Sequence, residues 1–104
     1  MNKYTELSDF EINKKVFTSL YGKESLEDKD MLRFFSSADY CNKPVYAMPI
    51  IIDNRISLRN RYEGNWRAET VWGVPFGSIN SNPYRAAMEV FLMMKDAENE
   101  NENE

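Results

Sequence analysis

Ile56-Ser57-Leu58-Arg59-Asn60-Arg61-Tyr62-Glu63-Gly64-Asn65-Trp66-Arg67-Ala68-Glu69-Thr70-Val71-Trp72 is the stretch on which the fold turns. Ile56, Leu58 and Asn60 alternate with Ser57, Arg59 and Arg61, the period of a strand rather than a helix. Glu63-Gly64-Asn65 supplies a turn, and the run from Trp66 to Trp72 brings the chain back. The pattern predicts an antiparallel hairpin with Ile56, Leu58, Trp66, Ala68 and Trp72 on the core face and Arg59, Arg61, Arg67 and Glu69 on the other. Gly73, Pro75 and Gly77 then end the sheet or add a bulged third strand.

C-terminal to the hairpin, Asn82-Pro83 opens a helix, a cap followed by proline where no N–H is needed. Its alanines, methionines, Val90, Phe91 and Leu92 cover most of its circumference, leaving Arg85, Glu89 and Asp96 as a narrow polar stripe. So apolar a helix is either the central core element or half of an interface, and the second case allows a homodimer.

N-terminal to the hairpin, Asn42 caps and Pro44 starts a helix over Val45–Asp53. Pro49 should kink or break it, because proline removes a backbone donor, and Asn54 can end it with a positive φ. Met31–Ser36 reads as a short strand, although so brief a pattern does not separate strand from helix; it follows a charged surface loop from Lys23 to Asp30 with room for one helical turn. The first helix is the best signposted: Ser8 and Glu11 form a capping box, Leu7 staples Ile12, and Ile12, Val16 and Leu20 share a face with Phe17 and Tyr21 beside them. Gly22 closes it, giving Asp9–Tyr21. The expected fold is therefore α+β: a small antiparallel β-hairpin or three-stranded sheet packed against N- and C-terminal helices, with a proline-interrupted helix between.

Composition sets the boundaries of function. The 104 residues suffice for one core. The tail from Asp96 to Glu104 holds five of the 17 acids and no base, so residues 1–95 carry 12 acids against 13 bases and are nearly neutral. We expect a single domain over 1–95 and a disordered acidic tail over 96–104. The chain has one cysteine and no histidine. That rules out an internal disulfide, a Ser-His-Asp or Cys-His nucleophile and any His-ligated zinc site. Met1–Asp9 lacks the apolar run of a signal peptide, and Ala86–Met94 is too short to span a bilayer, so a cytoplasmic protein is expected.

Candidate chemistry is sparse. Cys41 precedes a helix start that could lower a thiol pKa, although a buried inert thiol explains it better. Asp39, Asp53, Glu63 and Glu69 show no metal-ligand spacing and read as caps and surface charge. Gly64, Gly73 and Gly77 lack the strand-to-helix context of a phosphate loop. No cofactor, metal or catalytic set is expected, and so no enzyme. Two surfaces remain. Arg55, Arg59, Arg61 and Arg67, with Trp66 and Tyr62 between them, could neutralise phosphates and stack bases. Trp72, Pro75, Phe76, Met93 and Met94 could form an adaptable protein-binding surface.

Three segments carry a resemblance: Tyr4-Thr5-Glu6-Leu7-Ser8-Asp9-Phe10-Glu11-Ile12-Asn13-Lys14, then Asp39-Tyr40-Cys41-Asn42-Lys43-Pro44 through Met48-Pro49-Ile50-Ile51-Ile52 to Ile56-Ser57-Leu58, and Asn82-Pro83-Tyr84-Arg85-Ala86-Ala87-Met88-Glu89-Val90-Phe91-Leu92-Met93-Met94. Together they resemble the NinX family, small proteins encoded in the nin region of lambdoid phages and in prophages. The chain departs from that pattern at Met48 and Tyr84, and Lys23–Arg33 matches little. The resemblance implies an accessory phage protein made inside a bacterium and carries no mechanism or site residue with it. Protein binding to a host or phage partner is the leading expectation. A nucleic-acid-binding module comes second, and a protein sequestering a small ligand between the hairpin and the broken helix comes third.

Overall fold

The computed structural model describes residues 2–102. The elements run α1 (Asp9–Tyr21), a 3-10 turn (Lys23–Glu27), α2 (Lys29–Ser37), α3 (Pro44–Asp53), β1 (Ser57–Asn60), β2 (Trp66–Glu69), β3 (Gly77–Asn80) and α4 (Pro83–Glu102). The strands form one antiparallel sheet in the order β1-β2-β3, so the third strand is present. Leu58 pairs with Ala68, Asn60 with Trp66, and Ala68 with Ser78. The α+β expectation holds.

α4 is the core element. Every residue from Arg85 to Leu92 is buried, and the helix packs against β2, β3, α1 and α3. The apolar circumference that allowed a homodimer is covered over this stretch within one chain. On the sheet's core face Ile56 and Ala68 are buried and Leu58 and Trp66 half-buried. Trp72 is not among them: β2 stops at Glu69, and the ring stands in solvent. Aromatic rings fill the other end, where Phe17 touches Tyr21, Phe34 and Phe35 at centroid distances of 4.9, 5.8 and 5.2 Å.

α1 has the predicted bounds and the predicted capping box, with Ser8 accepting from the Glu11 N–H and Glu11 accepting in return. Elsewhere local expectations give way. Met31–Ser36 is helical, within α2. The Asp28 carboxylate caps that helix by accepting from the N–H groups of Asp30 and Met31, and its inner side is Met31, Phe35 and then Ala38, helical spacing. α3 runs through Pro49 without a break. Pro49 and Val45 both face solvent, so the Val45 carbonyl that loses its intrahelical donor can be hydrated. Lys43 is the cap residue of α3 without a side-chain bond, because Asn42 is turned toward Asp9 and Asp39. Asn54 has φ −100°, and the positive φ falls on Arg55 at 55°.

Within the polar stripe of α4, Arg85 and Glu89 are buried partners. Arg85 Nε donates to Glu89 at 2.6 Å, Nη1 to Asp9 at 2.7 Å, and Nη2 to the carbonyls of Tyr4 and Leu7 at 2.9 and 2.7 Å. Glu89 also accepts from Ser78 and Asn2. A second set of bonds joins α1 to the start of α4. Asn13 bridges Asp39 and the Cys41 N–H, and Asn82 donates to the Cys41 carbonyl and Asn42. These bonds tie the N-terminal segment, the 39–42 turn and α4 together at one corner.

α4 continues through the acidic residues to Glu102, where a disordered tail was expected from Asp96. Asp96 is held by the Tyr4 hydroxyl and by Lys3 at 3.1 Å, and Lys95 pairs with Glu98 at 3.2 Å. The last two residues of that tail lie outside the described residues.

Candidate protein-interaction surface

The connection between β2 and β3 is braced by one side chain. Thr70, buried, donates its hydroxyl to the Val74 carbonyl at 3.2 Å and accepts from the Phe76 N–H at 2.9 Å, while its own N–H bonds to the Phe76 carbonyl at 3.0 Å. Gly73, at φ 72°, makes the turn within that brace, a conformation that favours glycine. A loop closed so tightly has no room to fold its own side chains inward. Val71, Trp72 and Val74 project into solvent at 63, 75 and 67% exposure.

Beside the loop, Phe76 is half-buried against the core and Met93 and Met94 lie half-buried on α4. Trp72, Val74, Phe76 and Met94 line a shallow depression of about 210 Å³. Pro75, Phe76 and Met93 line a longer groove of about 620 Å³ that follows β3. The five residues singled out from sequence are thus brought together along one side of the molecule. Val74 belongs with them and was overlooked; its place between a glycine and a proline was the available signal.

The arginines divide. Arg59 and Arg67 are cross-strand neighbours on the outer face, and Arg61 continues that face by alternation. Glu69 accepts from both, at 2.9 Å from Arg59 and 3.0 Å from Arg67. Those two bonds hold its carboxyl below the usual range. Arg55 sits in the turn before β1, off the strand. Trp66 shares the opposite face with Ala68, away from the arginines it was grouped with.

Cys41 is fully buried. Burial, and then the nearby Asp9 carboxylate, push its thiol well above the ordinary range, which disfavours the reactive thiolate. Among the described residues no group of three or more His, Cys, Asp or Glu side chains could hold a metal ion. No helix there is long and apolar enough to cross a membrane.

Fold and surface together define a small α+β domain with a buried polar corner and one apolar side. The Bacteriophage P22, NinX family model matches residues 3–95, and the chain belongs to that family. This makes it a phage accessory protein. No curated protein and no solved structure matches the chain. The three segments that carry the resemblance are joined by the polar network around Arg85 and Asn82: Tyr4, Leu7, Asp9 and Asn13; Asp39, Cys41 and Asn42; Asn82, Arg85 and Glu89.

Proposed function

We propose that the protein is a non-enzymatic module that acts inside the infected bacterium by binding a host or phage protein through the surface around Trp72. The observation that carries this reading is the exposure of Val71, Trp72 and Val74 on a loop whose ends Thr70 pins, with Trp72 and Val74 next to Phe76 and Met94. A pinned loop has less entropy to lose on docking, and tryptophan is among the residue types that most often dominate an interface. The arginine face supports nucleic-acid binding less well, since Glu69 neutralises part of it and Trp66 lies on the other side.

The test compares two baits. Protein tagged at its N-terminus, and its Trp72→Ala variant, are recovered from phage-infected cells after nuclease treatment. One protein recovered near stoichiometrically by the first bait and lost with the second supports the proposal. Recovery of the same proteins by both baits, or of the bait alone, sinks it.

A further inference from the structure

The free edge of the sheet says how such a partner would be held. Thr70 N–H bonds to the Phe76 carbonyl, and hydrogen-bonded pairs alternate along an antiparallel ladder. The bonded pairs between β2 and β3 are therefore Thr70/Phe76, Ala68/Ser78 and Trp66/Asn80. Gly77 and Ile79 must turn their N–H and C=O groups away from β2, toward the open side. Among the described residues no backbone or side-chain group outside the ladder bonds to them.

Edges are normally guarded by charge, proline or a bulge. β1, the other edge, carries Arg59 and is followed by Arg61. β3 reads Gly77-Ser78-Ile79-Asn80, with neither charge nor proline. Along it runs the groove of about 620 Å³, walled by Asn2 and Thr5 on one side and floored by Phe76 and Met93. Arg67 lies at the same place. Its Nε is used by Glu69, while Nη1 and Nη2 have no hydrogen-bond partner among the described residues and rest over Gly77, Nη1 at 3.1 Å from where a side chain there would begin.

We infer that the edge of β3 binds an extended, acidic peptide segment of the partner protein, which adds as a fourth strand and sets a carboxylate against the free nitrogens of Arg67. This rests on the protein-interaction reading and names the chemistry of its partner. Main-chain bonds to Gly77 and Ile79 supply the docking, and alternate side chains reach the floor of Phe76 and Met93. The guanidinium selects the charge. A second copy fits less well, because pairing β3 with itself brings two Arg67 cations together across the new seam.

The probe is an acetylated, amidated heptapeptide of alternating threonine and valine with a central aspartate, titrated into ¹⁵N-labelled protein beside a twin carrying lysine. The Gly77 and Ile79 amides should shift and become protected from exchange, ahead of Ser78 and Asn80. The lysine twin, and the Arg67→Gln protein with the aspartate peptide, should each bind roughly tenfold more weakly. Ile79→Pro removes an outward N–H that no ladder bond uses, so it should abolish binding in a folded protein. Unmoved Gly77 and Ile79 amides at millimolar peptide, or equal binding of the lysine twin, would overturn the inference. Protection of these amides that grows with protein concentration alone would overturn it in favour of a second copy. A partner captured from cells that depends on Trp72 yet binds Ile79→Pro and Arg67→Gln normally would leave the interaction reading standing and remove strand addition.

Discussion

Arg85 and Glu89 stand one turn apart on α4 and meet inside the core, with both side chains almost fully buried. Neither ion is isolated: Arg85 also reaches Asp9 and two carbonyls, and Glu89 reaches Ser78 and Asn2. Such a network fixes the seat of the N-terminal segment on α4, and its energetic signature is asymmetric.

Arg85→Met should cost about 3–5 kcal/mol in urea denaturation, because it leaves the Glu89 charge buried without its cation. Adding Glu89→Met should recover only part of that loss, since the carbonyls of Tyr4 and Leu7 still lack their donor. A single-variant loss below about 1 kcal/mol would place the pair among surface ion pairs instead.

Asp9 makes the network sensitive to acid. Partial burial works to raise its carboxyl, but bonds from Arg85 and Asn42 outweigh it and leave the group below its ordinary value of 3.8. The folded state therefore binds this proton less readily than the unfolded chain. The stabilisation is fully present above pH 3.8 and is lost as pH falls through the lower folded value. Asp9→Asn should lower the melting temperature at neutral pH and flatten its fall below pH 3.8. Parallel curves for the two proteins across that window would show that Asp9 contributes nothing of the kind.

The buried hydroxyl of Tyr40 has no hydrogen-bond partner among the described residues, although its ring packs edge-on to Tyr46 at 6.0 Å. A buried polar group left unpaired costs more than an absent one. Tyr40→Phe should then be neutral or stabilise by about 1 kcal/mol, read as a higher urea midpoint at an unchanged slope. A loss of 1 kcal/mol or more would mean that the hydroxyl has a partner in solution.

How much of this was legible in the sequence depends on how local each signal was. α1 could be read to its last residue because Ser8, Glu11 and Gly22 act within a few positions of the helix they bound. For α2 the sequence alone does not decide between strand and helix, although Asp28 and the Met31/Phe35/Ala38 spacing lay in plain sight, because the six residues Met31–Ser36 are too few to show a decisive period. The burial of Arg85 and Glu89 could not be read from α4 at all. It is decided by groups from Asn2 to Asp9 and by Ser78, which only the folded chain brings there. Trp72 was chosen for the candidate surface and also assigned to the core face, by carrying the strand's alternation two residues too far. Thr70 ends that alternation by bonding across its own loop. The rest of Arg67 over Gly77 left no trace in the pattern.

That last contact yields a substitution that separates stability from binding. Gly77 does not need its glycine for φ; it needs it for space, because a Cβ there would collide with the Arg67 guanidinium. The obstacle is the end of a flexible side chain, so Gly77→Ala should push Arg67 aside and break its 3.0 Å bond to Glu69, leaving the Arg59 bond in place. A half-buried ion pair whose carboxylate keeps its second partner loses little, and alanine loses less backbone entropy than glycine, so the stability change should stay within about 1 kcal/mol. Affinity for the aspartate peptide should nevertheless fall as far as in Arg67→Gln. Combining the two changes should add nothing further, since both remove the same contact. Retention of full peptide affinity by a stable Gly77→Ala protein would show that Arg67 needs no particular seat over β3, and would take the carboxylate clamp out of the account of this edge.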